Sequence, residues 1–266
     1  MPPTPSFRMV KTLKTLLATE RLIKAFGGLV AVNEVSLEVR ENTLTLLIGP
    51  NGSGKTTLLN LCTGVLKPDS GKVLFKGQDI TGLEPHQIYE LGFVRSFQIP
   101  MPFTELTVLD NVLGAMRSPG EDPFRAIIKG SWIRREEEHM EKALAILEKV
   151  GLERHWNMPS ASLGAAQLKM LEVARGLASG ATLIALDEPI GGVDPARAGD
   201  ILAHLTELKK EGITFLVVEH RIDIVAPFAD YMYAMDRGSV ISHGSPDSVL
   251  NDPKVIEVYI GRDEAC

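Results

Sequence analysis

The residues with the clearest chemistry are Gly49-Pro50-Asn51-Gly52-Ser53-Gly54-Lys55-Thr56. They fit G-x-x-x-x-G-K-[ST], a loop whose backbone N–H groups wrap a diphosphate. Its glycines let the backbone turn inward where side chains would obstruct it. Lys55 has the reach for the β- and γ-phosphates, and Thr56 has a hydroxyl for Mg²⁺. A second constellation is Asp187-Glu188, two adjacent carboxylates at the end of an apolar run. Burying such a pair is costly unless a cation is near. Asp187 suits Mg²⁺ through water, and Glu188 suits the orientation or deprotonation of an attacking water. His220 leaves the end of another apolar run; His86, His139, His155, His204 and His243 have no such setting. Phe26 could stack on an adenine ring, although taken in isolation an aromatic in a strand is more often a core residue.

These groups act together only if the intervening elements gather them. Leu44 to Ile48 is apolar and β-prone, and Thr57 to Cys62 reads as a helix. The order is then strand, glycine loop, helix, with about half a positive charge at the helix N-terminus. Ala181 to Leu186 and Ile213 to Val218 are continuous apolar runs, as expected of parallel strands buried on both faces. Asp187 and His220 would emerge at the carboxyl edge of one sheet, where such sheets bind ligands. Phe93 to Phe97 is extended and delivers Gln98.

Residues 17–48 alternate with period two around a Gly27-Gly28 turn, which predicts a small antiparallel sheet. Val73 to Phe75 is a short strand between turns at 67–71 and 77–80. Pro85 to Leu91 is a short helix capped by Thr81 or Glu84. Asp194-Pro195 pairs an N-cap with proline at the first helical position, and that helix runs to Lys210. Tyr231 to Met235 and Ser239 to Ser242 form a hairpin around Arg237-Gly238. A short helix and a tail end the chain. Between 100 and 178 there is no convincing strand. A helix spans Arg134 to Val150 and Gly151 stops it. The expected organisation is a flexible extension over 1–16, an α/β core from 17–99 and 179–266, and a helical insertion over 100–178.

Bulk properties narrow the function. The chain has 266 residues, 44% of them hydrophobic, and a net charge of −6. That balance argues against holding nucleic acid by bulk electrostatics. Cys62 and Cys266 lie far apart and fit no metal spacing. No run approaches the ~20 apolar residues of a membrane span, and the N-terminus has no signal-peptide core, so a cytosolic protein is expected.

Taken in order, these motifs resemble the ATP-binding subunit of ABC transporters, from about residue 17 to the end. The family supplies an A-loop aromatic (Phe26), the phosphate loop, a Q-loop (Gln98), a signature, the Walker B strand with Glu188, a D-loop (Gly191 to Asp194) and a switch histidine (His220). The resemblance implies a P-loop NTPase (RecA-like) mixed sheet with an N-terminal antiparallel β-subdomain and an inserted all-helical subdomain. It implies ATP and Mg²⁺ as cofactors. Nucleotide contacts are expected from Phe26, Val32, Asn51, Gly52, Ser53, Gly54, Lys55, Thr56 and Thr57. Metal contacts are expected from Thr56, Gln98 and Asp187, and catalysis from Glu188, His220, Lys55 and Gln98. Residues 26–33, 94–98, 218–221, 252–256 and the Tyr259-Ile260-Gly261 ending resemble the branched-chain amino acid uptake subfamily. The implied partners are integral-membrane permease subunits near the Q-loop, a second ATPase subunit facing head to tail, and an external solute-binding protein. The implied location is the cytoplasmic face of the cell membrane. Lipopolysaccharide export, or a regulatory protein with little hydrolysis, remain alternative readings.

One motif departs from the family. Its signature reads Leu-Ser-Gly-Gly-Gln, whereas this chain has Leu163-Gly164-Ala165-Ala166-Gln167. In the family the serine and the second glycine's N–H bind the γ-phosphate held by the opposite subunit. A lost hydroxyl bond to a charged group costs on the order of 1.5–3 kcal/mol, or about 10- to 150-fold in rate. A heterodimer with an intact-signature partner is therefore expected, unless the changes are tolerated or Ser162 shifts into register.

Overall fold

The computed structural model describes residues 14–96, 101–116 and 130–260. Among the described residues, ten strands form two sheets. The first holds β1 (Thr15–Phe26), β2 (Leu29–Arg40), β4 (Ser70–Phe75) and β5 (Gln78–Asp79) in the order β2-β1-β4-β5, all antiparallel. The second holds β3 (Leu44–Ile48), β6 (Phe93–Arg95), β7 (Leu183–Asp187), β8 (Thr214–Val218), β9 (Tyr231–Asp236) and β10 (Ser239–Gly244). Its order is β10-β9-β3-β8-β7-β6, parallel except for the β9-β10 hairpin.

Strand periodicity explains the core. Every residue of β3, β7 and β8 is buried, and successive side chains point to opposite faces. Leu46, Ile184, Leu186, Phe215 and Val217 pack on one face with the helices. Leu47, Leu183, Ala185, Leu216 and Val218 pack on the other with β1, β2 and α1 (Lys55–Cys62). Because β3, β8 and β7 run in register, with Leu47 opposite Val218 and Val218 opposite Asp187, their carboxyl ends share one edge.

The remaining helices are α2 (Pro85–Glu90), α3 (Val108–Leu113), α4 (Gly130–Lys149), α5 (Ala165–Ala178), α6 (Pro195–Lys210), α7 (Ile222–Val225), α8 (Pro246–Leu250) and α9 (Pro253–Ile260). The Asp194 side chain caps α6 by accepting from the Ala196 N–H at 2.9 Å. Among the described residues, the stretch from 101 to 178 contains helices and a single bridge, Thr107 to Pro159, but no strand.

Four expectations need correction. Residues 15 and 16, expected within a flexible extension, belong to β1, where Thr15 pairs with Arg40; residues 1–13 lie outside the described residues. Residues 78–79 pair with β4 as a two-residue strand rather than a bare turn. Helix α4 begins at Gly130, not Arg134. The chain end carries two helices, because Ser245-Pro246 and Asp252-Pro253 each repeat the cap-and-proline start seen at α6.

Candidate functional site

Fully buried β3 delivers Gly49 into the phosphate loop. A side chain at Gly49 would place Cβ 2.3 Å from the Met235 carbonyl oxygen and 2.6 Å from Ser53 Oγ. At Gly54, φ is +100° and a Cβ would lie 2.3 Å from the Ala31 carbonyl oxygen. The turn closes with the Ser53 N–H donating to Pro50 O at 3.2 Å, and α1 starts with Leu58 N–H donating to Gly54 O at 2.8 Å. Lys55 is only 5% exposed. Its Nζ donates to Gly49 O at 2.7 Å and Pro50 O at 3.0 Å. Burial pulls its pKa below the usual lysine value, and the carboxylates of Glu188 and Asp187 push it back up.

A cleft of about 640 Å³ runs over the loop. Asn51, Gly52, Ser53, Gly54, Lys55, Thr56 and Thr57 form its floor, Phe26 stands at one end, and Glu188 and His220 at the other. Phe26 is 48% exposed, with Lys24 Nζ 5.6 Å from its ring centroid. Val32 is wholly buried in the core beside this end of the cleft, which Ala31 and Val30 line. Gln98 lies outside the described residues.

Glu188 follows β7 with φ at +51°, a left-handed backbone at a residue that is not glycine. Such a conformation costs on the order of 1–3 kcal/mol and is held by its surroundings. Here the Glu188 N–H donates to Val218 O at 2.9 Å. The side chain is aimed at His220, with Oε1 2.9 Å from Nε2. Sequence reading expected these two groups to converge, and they do.

Asp187 is 4% exposed, and its Oδ2 accepts from Arg95 Nη2 at 2.9 Å. Arg95 also bonds Asn60 on α1. The Asp187 N–H points to Ser96 Oγ at 3.4 Å. Strand β6 thus braces the carboxylate against α1.

Two buried charges completing the site were not anticipated. Glu219 is 2% exposed; Oε1 accepts from the Ile190 N–H at 2.9 Å and Oε2 from the His220 N–H at 3.0 Å. It ties the segment after Glu188 to His220. Its position beside His220 was the available signal. Lys169, on α5, is buried; desolvation lowers its pKa, and Glu172, Asp187, Glu188 and Glu219 raise it. Its ammonium thus lies in the field of Asp187, Glu188 and Glu219.

Gly164, Ala165, Ala166 and Gln167 head α5 and do not line the cleft. Gly164 is extended, with φ at −74°, and its N–H donates to Gln167 Oε1 at 2.9 Å. Gln167 Nε2 lies 2.9 Å from His155 Nε2. Ser162 sits in a preceding 3₁₀ turn, where its Oγ donates to Pro159 O at 2.7 Å. It does not occupy the helix cap.

The arrangement can bind a polyphosphate on backbone amides and Lys55, and present a carboxylate–histidine pair to its terminal phosphorus. Comparison with known proteins agrees. A family model described as ABC transporter matches residues 32–191, and one described as branched-chain amino acid ATP-binding cassette transporter matches 239–265. The probable branched-chain amino acid transport ATP-binding protein LivG of Archaeoglobus fulgidus is 47% identical over 94% of this chain and 97% of its own. LivG of Salmonella typhimurium is 36% identical over 93% and 98%. A crystal structure of the ADP conformation of an ABC transporter cassette is 45% identical, with TM-score 0.82, covering 93% of this chain and 99% of that one. A dimeric bacterial ABC transporter cassette is 27% identical, with TM-score 0.70, over 87% and 99%. With a family model spanning most of its length, these relatives and that phosphate cleft, the chain belongs to the ATP-binding cassettes of the ABC transporter family.

Proposed function

We propose that this chain is the ATP-binding and ATP-hydrolysing subunit of an ABC importer for branched-chain or other amino acids. The hydrolytic part rests on the 2.9 Å contact between Glu188 and His220 at the end of the phosphate cleft. Glu188 takes a proton from the attacking water or orients it. His220 holds that carboxylate and reaches the γ-phosphate. Lys55 and the loop amides draw charge from the β- and γ-oxygens as the bond to the leaving group breaks. Phe26 stacks on the adenine.

Mg²⁺ fits the donors present: the Thr56 hydroxyl, the Asp187 carboxylate and, by family resemblance, Gln98. Among the described residues no three His, Cys, Asp or Glu gather as a cage. That suits an ion taking one or two protein oxygens and its other ligands from phosphate and water. When bound, it neutralises charge on the phosphate oxygens.

The amino acid assignment is supported by the names of the relatives and by the match of the C-terminal model. Among the described residues no helix is long and apolar enough to cross a membrane; the family resemblance supplies permease subunits as partners. A groove of about 350 Å³ between the core and the helical insertion (100–178) offers Val65, Tyr89 and Phe103 to a permease segment. The chain would sit peripherally on the cytoplasmic face, with an external protein delivering solute and no role for nucleic acid. A head-to-tail dimer places Gly164 to Gln167 against the partner's ATP. The missing serine favours a partner with an intact signature. The test has two parts. ATP hydrolysis abolished in Glu188→Gln supports the enzyme reading, and turnover unchanged overturns it. Co-purification of permeases from native membranes, with labelled leucine uptake lost in Lys55→Ala cells, supports the importer reading; uptake unaffected in those cells overturns it.

A further inference from the structure

The C-terminal helix α9 reaches the nucleotide site. Next to the main cleft is a second depression of about 560 Å³, sharing Asn51, Glu188 and His220 with it. Its outer wall comes from Val258 and Tyr259. Helix α9 is anchored by Val255, which is buried in the core, and Tyr259 packs against the same cluster. The ring therefore stands opposite the carboxylate–histidine pair on an element remote in sequence.

The phenol oxygen is enclosed and makes no hydrogen bond among the described residues. It faces the backbone of Gly49, whose N–H favours the phenolate without completing a bond. Burial is the stronger influence and pushes the pKa up to about 12. A neutral hydroxyl enclosed without a partner is uncommon, because each such group loses its bonds to water. Here it abuts Gly49, the first residue of the phosphate loop, where an added Cβ would strike the Met235 carbonyl oxygen of β9.

We propose that Tyr259 is a positioning residue for ATP hydrolysis: its ring walls the terminal-phosphate side of the site opposite Glu188 and His220, and its hydroxyl, which stands against Gly49 without a bond, accepts from the Gly49 N–H as the phosphate loop closes on the reacting phosphate. This rests on the hydrolytic reading above. The residue touches neither Lys55 nor the adenine end of the cleft, so it acts on the chemical step and not on affinity for nucleotide.

The test is single-turnover hydrolysis of γ-labelled ATP by excess full-length protein, with half-saturation read from the protein concentration. Tyr259→Phe keeps the ring and deletes the hydroxyl. It is expected to slow the maximal rate about five- to tenfold, with half-saturation changed less than twofold and Tm unchanged. Tyr259→Leu, which also removes the flat wall, is expected to slow it further. Val255→Ala loosens α9 without touching the ring, and should lower Tm while leaving the maximal rate within twofold. A Tyr259→Phe rate within twofold of the wild type overturns the proposal. So does a loss that Val255→Ala reproduces, since helix docking alone would then explain it. Glu188→Gln, run alongside, separates the two readings. If it abolishes hydrolysis while Tyr259→Phe does not slow it, only the role of Tyr259 falls; if it leaves hydrolysis intact, the site itself has been misread.

Discussion

The head of α1 and the head of α5 are both helix N-termini entered through glycine, yet their first amides meet different things. Gly54 enters α1 in a left-handed conformation and receives no side-chain cap. A buried ammonium, Lys55, stands at the first helical position. Gly164 enters α5 in an extended conformation, and its N–H is already taken by Gln167 from the same helix. The next positions, Ala165 and Ala166, bring methyl groups and no hydroxyl. A helix terminus attracts anions through its free N–H groups and its dipole. The α1 terminus keeps both and adds a cation; the α5 terminus keeps the dipole and spends one amide on itself. One chain is thus well equipped for the nucleotide it holds and sparsely equipped for the one it would help its partner hold.

The sharpest way to break this comparison is at the richer end. Glu188→Gln keeps size and hydrogen bonding but cannot take a proton. Turnover is expected to fall about 100- to 10,000-fold, while ATP binding, measured by calorimetry, is retained. Turnover near that of the wild type would mean that the strained backbone at Glu188 serves something other than hydrolysis. Lys55→Ala removes the charge that the loop carbonyls hold. Affinity for ATP is expected to drop about 10- to 150-fold, from the worth of charge-assisted hydrogen bonds. Calorimetry showing unchanged affinity would contradict the assignment of the loop.

The poorer end is tested by repair. A Cβ at Gly164 would meet only Gln167 Oε1, at an ordinary 3.7 Å, so serine fits there. The triple change Gly164→Ser, Ala165→Gly, Ala166→Gly is expected to raise turnover of the isolated protein by about tenfold or more. Stability should move the other way, because glycine in the first turn of α5 is a poorer helix former by up to about 1 kcal/mol per position. Turnover that stays flat while stability falls would show that the α5 terminus is not what limits hydrolysis.

Lys169 couples the two ends. An unfolded lysine keeps its proton to about 10.5, whereas burial lowers the folded value. Between the folded and unfolded values the unfolded chain binds more protons, so this group's contribution to stability rises with pH across that interval. Below the interval the burial penalty is present in full. Lys169→Met should therefore gain most over the wild type at neutral pH, and the gain should shrink as pH approaches 10.5 in urea titrations. A difference that is flat with pH would place the ammonium in water.

Much of this was legible in the sequence because it is local. The phosphate loop, the apolar runs of β7 and β8 and the Asp194-Pro195 start of α6 each declare themselves within a few residues. Chemistry that depends on distant pairing was not legible. Arg95 meets Asp187 across 92 positions, and nothing in either segment announces it. Lys169 reads as one more polar residue on a helix until α5 is laid against the carboxylate edge. Which residues of β2 look at the cleft was not legible for a related reason: it depends on where α1 and β10 pack against that strand. The second C-terminal helix was missed although Asp252-Pro253 repeats the signal used at α6, since a start signal alone does not show that five or more residues will follow in helix.

The smallest effect tests whether Gln167 is a cap, a ligand, or both. Its Oε1 accepts from the Gly164 N–H, so its Nε2 is the atom that faces His155 Nε2 and donates to it. Both ends of the amide are engaged within this chain, and because Gly164 has no side chain to return the bond, the cap is one-sided. Gln167→Ala should cost about 0.5–1 kcal/mol in urea unfolding, or roughly 1–4 °C in Tm. It also frees the Gly164 N–H. If the cap is the only role, turnover of the isolated protein should hold or rise slightly, because an amide has been released toward the partner's phosphate. If Gln167 also touches that phosphate, turnover should fall by more than the stability loss accounts for. The direction of that change, measured in the Gly164→Ser background where the serine supplies a cap of its own, decides whether the α5 terminus is closed by design or merely short of a hydroxyl.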